Sequence, residues 1–528
     1  MSPVPTILSR RPRLPRSWSR AGLVRAAVIA ATATGLTVAG STVDGTVRLA
    51  RPSELAGLPQ SSAGLVDSAS LVCPGQQRVG TQGMRDVSGT VQVSTAGAPA
   101  AALAGIPSVG RVGSVGTVGP AGTGPGLVSL AGPGGQLLAS TEQRFEPVTA
   151  PTTGQSHVIA RGERGLAPGI AATQGWWHVG DDDRGLALTP CAEPTADVWL
   201  VGGGGGPSRT ERVVIINPGA NPVSVRVEVF GAEGPVAASD RAAVSVPPQS
   251  RISLSLDALA PDELRPAVHV VATGGVVSAV LSDAWIDGAT ARGVDDATAA
   301  AAPARDVLVP GVEAAAAGQG ETILRIVNPG ASEALVRATV LTAKGPRQPA
   351  ELRAVRVGAG STLDVPLALA GGENAVRLTA DQPVSAAVFL DRRRPPRAGP
   401  DIDREGDFGW APGLPAIQGT GGVVIPALVR PGATRTLHLA AGVAGGTVTT
   451  TIGAGADERQ VTSELAPLTS VIVALGDADR VWVSTQSRQV RAAVTVTVVD
   501  RGVPYFAVVP IRSAPTTETA VPVRQVTS

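Results

Sequence analysis

The feature that most constrains this chain is a phrase it writes twice. Residues 213–229 read VVIINPGANPVSVRVEV and residues 324–340 read LRIVNPGASEALVRATV, an offset of 111. The same offset lays RISLSL (251–256) on TLDVPL (362–367), and VVSAVL (276–281) finds PVSAAVF (383–389) after a four-residue deletion. A weaker third copy follows in RTLHLAAG (435–442), LTSVIVAL (468–475) and QVRAAVTV (489–496). Each copy opens on a related lead segment: DVWLVGG (197–203), DVLVPGV (306–312) and VVIPALV (423–429). Recurrence in fixed order describes one structural unit used three times.

The unit reads as β structure. In residues 223–229 valines alternate with Ser224, Arg226 and Glu228, the period of a strand with one buried and one wet face. Asn217-Pro218-Gly219 reads as a turn: Pro presets φ, Gly219 is expected to take a positive φ, and the Asn217 side chain is placed to cap it. Seven or so short strands in 80–90 residues predict an Ig-like β-sandwich. A propeller blade would need only about 40–50 residues. Composition agrees: Gly (65) and Pro (44) make about a fifth of 528 residues, and aromatics are 2%. Such a Val-rich, turn-rich chain favours strands over helical bundles. A net charge of +1 removes electrostatic attraction to nucleic acid, so no nucleic-acid partner is expected.

The expected organisation is therefore all-β. Repeats occupy 197–288, 306–390 and 422–512, with linkers at 289–305 and 391–421 and a disordered tail at 513–528. Before them stand a basic leader with an apolar helix (1–44), a linker (45–65) and a module at 66–196 that lacks the NPG phrase. In the leader, Arg10, Arg11, Arg13, Arg16, Arg20 and Arg25 precede AAVIAATATGLTVAG (26–40), and Asp44 is the first acidic residue. A basic segment before an apolar one is an export signal with its N-terminus in the cytoplasm. The apolar run is short for a span of about 20 residues, so cleavage (secretion) and retention (a plasma-membrane anchor through 21–43) both stay open.

Two cysteines, Cys73 and Cys191, lie at the two ends of the first module. An even pair in an exported chain predicts one disulfide tying its first strand to its last. In the chain-entropy model such a link contributes on the order of 4–5 kcal/mol. No arrangement for catalysis, cofactor or metal stands out. The run GGGGG (202–206) follows a strand but lacks a lysine and a following helix, so it reads as a flexible hairpin loop rather than a phosphate cradle. The densest group of unusual side chains is GWWHVGDDDRG (175–185). Trp176 and Trp177 there form a candidate ligand surface, a sugar-stacking platform; the alternative is a buried anchor beside an acidic turn.

The segments CPG (73–75), RGLALTPCAEPTADVWLVGGG (184–204), the IINPG phrase, VPPQSRISLSL (246–256) and DFGWAPGLP (407–415) resemble a family of uncharacterised exported actinobacterial proteins filed as a domain of unknown function. The resemblance implies a single-pass or secreted protein, with genes that often neighbour a glycosyltransferase, and carries no catalytic motif. The expectation is a non-enzymatic cell-envelope protein, a scaffold or protein-binding ectodomain whose partners are envelope proteins. The alternative is a glycan-binding module acting beside envelope polysaccharide synthesis.

Overall fold

The alternation in the repeated phrase becomes a pair of matching strands, Val223–Gly231 and Ala334–Thr342. Val225, Val227 and Val229 are buried, as are Val336, Ala338 and Val340, while Ser224, Arg226 and Arg337 face solvent. The structure, a computed structural model of the chain, describes residues 62–520 apart from 88, 105, 107–124, 181–182, 206–208, 237–242, 370, 372, 397–403 and 431. The apolar leader segment and most of its linker lie outside the described residues. Among those described, no helix is long and apolar enough to cross a membrane.

Each repeat folds as two packed antiparallel sheets built on eight strand positions, the fourth of them split in two in the second and third sandwiches. Numbering the strands of a sandwich one to eight along the chain, one sheet runs 1-6-3-4 and the other 5-2-7-8. The second sandwich shows this from Asp197–Val201 to Thr290–Ala297, and the fourth from Gly419–Val424 to Val503–Ile511. In the third, strands six and seven are continuous as Glu373–Arg393, whose first half pairs in one sheet and second half in the other. The module before residue 197 has the same order, from Ser68–Cys73 to Gly185–Pro190. It is a fourth copy of the unit, one the sequence does not announce because its NPG turn is missing.

The eighth strand corrects two boundaries. The segments 289–305 and 391–421, expected as linkers, contain Thr290–Ala297 and Gly406–Pro412, each completing a sandwich. Their charges and glycines look like solvated linker in sequence, yet all eight residues of Thr290–Ala297 and all seven of Gly406–Pro412 are buried.

Burial comes from how the four units pack. The outer face of each 5-2-7-8 sheet seats on the preceding sandwich. Val214, Ile216 and Val280 of the second meet Val72 of the first. Phe389, Phe408 and Trp410 of the third enter the core of the second, and Ala493, Phe506 and Val508 of the fourth enter that of the third. Leu186, Leu188 and Trp177 of the first enter the core of the fourth, which closes the cycle. Repeated head-to-tail contacts that close make a ring rather than a filament. The ends of the described chain are clasped as well, because Ser62–Leu65 pairs antiparallel with Thr517–Ala520. Part of the expected disordered tail is therefore a strand.

Candidate functional site

Cys73 and Cys191 are joined in a disulfide across 118 positions, tying the first strand of the first sandwich to the residue after its last. The tryptophan pair packs at contacts between sandwiches rather than side by side on an open surface. Trp176 is 1% exposed, packed against Val91, Ala187 and Val294, with the Arg78 guanidinium 4.7 Å from its ring centroid. Trp177 is half-buried between Tyr505, at 5.7 Å, and the Arg430 guanidinium, at 4.6 Å. Both rings sit where the first sandwich meets its neighbours, Trp176 enclosed and Trp177 with one face under the Arg430 guanidinium. His178 pairs with Asp183 at 3.0 Å, and Asp181 and Asp182 lie outside the described residues.

Where the four eighth strands converge, one carboxylate serves all of them. Asp407 is fully buried, and its oxygens accept backbone N–H groups from Leu186 (2.8 Å), Val294 (3.1 Å), Phe408 (3.0 Å) and Phe506 (3.0 Å). Those donors belong to the first, second, third and fourth sandwiches in turn. Burial pushes the Asp407 pKa up and the four N–H donors oppose it. Only the ionised carboxyl accepts all four without a proton in the way. The approach also needs small neighbours: a Cβ on Gly293 would lie 2.1 Å from Asp407 Oδ1, and one on Gly185 2.5 Å from Val294 Cγ2. Beside it Arg184 donates to Tyr505 Oη at 2.8 Å and pairs with Glu405.

Other buried charges also bridge sandwiches. Asp296 accepts from Gln77 (2.7 Å) and Arg78 (3.4 Å) of the first, and Asp283 from Trp410 Nε1 of the third at 3.1 Å. The glycine run is pinned rather than flexible at its described residues. Glu211 accepts the N–H groups of Gly204 and Gly205, and Arg325 of the third sandwich donates to the carbonyls of Gly202 (3.2 Å) and Gly203 (2.6 Å). Glu211 is pushed up to about 7 by burial and by neighbouring Asp283.

The lead strands of the four sandwiches leave a basin between them. Its volume is about 680 Å³, and Val72, Asp197, Val307 and Gly422 represent the first, second, third and fourth sandwiches in its wall. Arg491 and Arg512 also line it, among alanines, prolines and the Cys191 sulfur's residue. A smaller cavity of about 310 Å³ opens between the first two sandwiches, lined by Met84, Val87, Trp285 and Ile286. Among the described residues no group of three or more His, Cys, Asp or Glu is placed to hold a metal. Sequence reasoning missed the basin and Asp407 alike. The one available signal was DFGW, a carboxylate set among Gly and aromatic residues inside an apparent linker.

A family model described as a family of unknown function (DUF5719) matches residues 147–476, more than half of the chain, from inside the first sandwich to inside the fourth. No curated protein matches the chain.

Proposed function

From the premise that this chain belongs to that family of unknown function, we propose that it is a non-enzymatic scaffold of the cell envelope, held outside the cytoplasm. The observation that carries the reading is the closed ring. Four sandwiches lock together through buried charges, and the first and last described strands pair. The buried acids Asp407, Asp296 and Asp283 are engaged in bridging sandwiches, which is a structural use. The Cys73–Cys191 disulfide and the Arg-rich leader support an extracytoplasmic location, since such bonds persist in oxidising compartments. Envelope proteins are the partners this surface would organise. With Trp176 buried and a guanidinium over the half-buried Trp177, the pair lends no support to glycan binding at that position.

The test is fractionation of cells making the full chain, with thiol trapping and cross-linking in intact cells. The expected result is recovery with the envelope or the medium, an oxidised Cys73–Cys191 pair and specific cross-links to envelope proteins. Recovery from the cytosol with both thiols reduced would overturn the location. Turnover of an envelope substrate by the purified chain would overturn the non-enzymatic reading.

A further inference from the structure

The geometry points to the basin between the four lead strands as a binding site for an acidic amphiphile, a molecule with one carboxylate or phosphate head and an apolar body. Three observations converge on it. The first is a half-buried cation with spare donors. Arg512 follows the last strand of the fourth sandwich, and its one side-chain acceptor among the described residues is the Ala299 carbonyl of the second sandwich. No carboxylate of the described residues pairs with it, and burial alone lowers it to about 10. A guanidinium carries five N–H donors in a planar fork that suits carboxylate or phosphate. An anion entering the basin would meet those donors.

The second observation is the wall. Ile170, Val280, Ala301 and Pro510 present small apolar groups, and about 680 Å³ falls within the 300–1,000 Å³ range of small-molecule sites. The alanine run 299–302, which the sequence offered only as linker, forms part of it. The third is the distribution of charge. Arg491 is held by the carbonyls of Leu414 (3.3 Å) and Gln489 (3.0 Å) and feels Asp306, so it is a weaker second anchor. Glu193, Asp197 and Asp306 also line the basin and would repel a ligand with several negative charges. One anionic head is admitted; a polyphosphate is not.

Calorimetric titration of the full chain with dodecanoate and dodecyl phosphate, below their micelle concentrations, tests this. Dodecanol supplies the tail without charge, and acetate and inorganic phosphate supply the head without a tail. Both amphiphilic anions are expected to bind at least about tenfold more tightly than any control, since one charge-assisted contact of about 1.4 kcal/mol is a factor of ten. Arg512→Gln should remove that preference while leaving dodecanol binding unchanged. Ala301→Phe, which fills the wall, should weaken every tailed ligand and keeps the test valid if Arg512→Gln does not fold. Uptake of a fluorescent fatty acid from phosphatidylcholine vesicles would mark a lipid source, and uptake only from solution a soluble one. Equal affinity for dodecanol and dodecanoate, anion binding untouched by either variant, or no binding of the anions at all overturns the proposal.

Discussion

Asn217 and Asn328 show what the repeated phrase is for. Each is fully buried, and each amide nitrogen faces three carbonyls: Asn221, Val246 and Pro247 at 2.7, 3.1 and 3.0 Å, and Ser332, Val357 and Gly358 at 2.8, 3.1 and 2.9 Å. Each amide oxygen accepts the N–H of Gly219 or Gly330 two residues on, at 2.9 and 3.0 Å. The capping role expected of Asn217 is therefore real, but the reason expected for glycine is not. Neither Gly219 nor Gly330 adopts a positive φ. A Cβ at either would sit 3.1 Å from the Asn oxygen, so glycine gives room for the cap. Asn217→Asp would point an acceptor at three carbonyls. It should lower stability by about 2–3 kcal/mol, as an unsatisfied buried polar group does, read from the denaturant midpoint of the full chain. Asn328→Asp should cost the same, and the double variant the sum, because the two sites share no partners.

At the scale of the element, alternation located strands well and said little about what their outer faces touch. His438 lies on Thr434–Ala441, on the face that seats against the third sandwich. Its Nε2 meets Thr495 Oγ1 at 2.9 Å and lies 3.9 Å from Glu313, and burial followed by Arg392 lowers its pKa to about 4. The unfolded chain binds the proton near 6.5 and the folded chain only near 4, so stability from the neutral imidazole is full above 6.5 and lost as pH falls toward 4. The loss approaches about 3 kcal/mol at the acid end. Glu211, raised to about 7, acts in the opposite sense over part of this window, so the measurement is a difference. His438→Gln should be less stable than the parent at pH 7, with the gap shrinking as pH falls to 4 in parallel urea titrations. Nothing beside His438 in the sequence marks it, because the third sandwich that packs over its strand and brings Arg392 lies elsewhere in the chain.

For the whole molecule the decisive residue is Asp407, where the four sandwiches share one carboxylate. Asp407→Asn keeps the shape and replaces one accepting oxygen with a donor facing N–H groups. Leaving a buried network half satisfied costs on the order of 3 kcal/mol. The expected outcome is a ring that opens: a larger radius of gyration in small-angle scattering and faster proteolysis within 391–421, with the sandwiches still folded by circular dichroism. An unchanged radius and melting temperature would show that the apolar seats alone hold the ring. The family match at 147–476 reaches into all four sandwiches.

What the sequence determined by itself is whatever repeats at short range. Valine alternation set the strands, NPG set a turn capped by its Asn, and the offset of 111 set two sandwiches of one design, with a third in weaker echo. An even cysteine pair set the Cys73–Cys191 bond. Tertiary structure alone decided the fourth copy, the eighth strands hidden in apparent linkers, the fate of Trp176 and Trp177, and the basin. The physical reason is common to these cases. Polar, glycine-rich or aromatic segments read as exposed when their partners lie hundreds of residues away, and they become interior only when the last sandwich closes on the first.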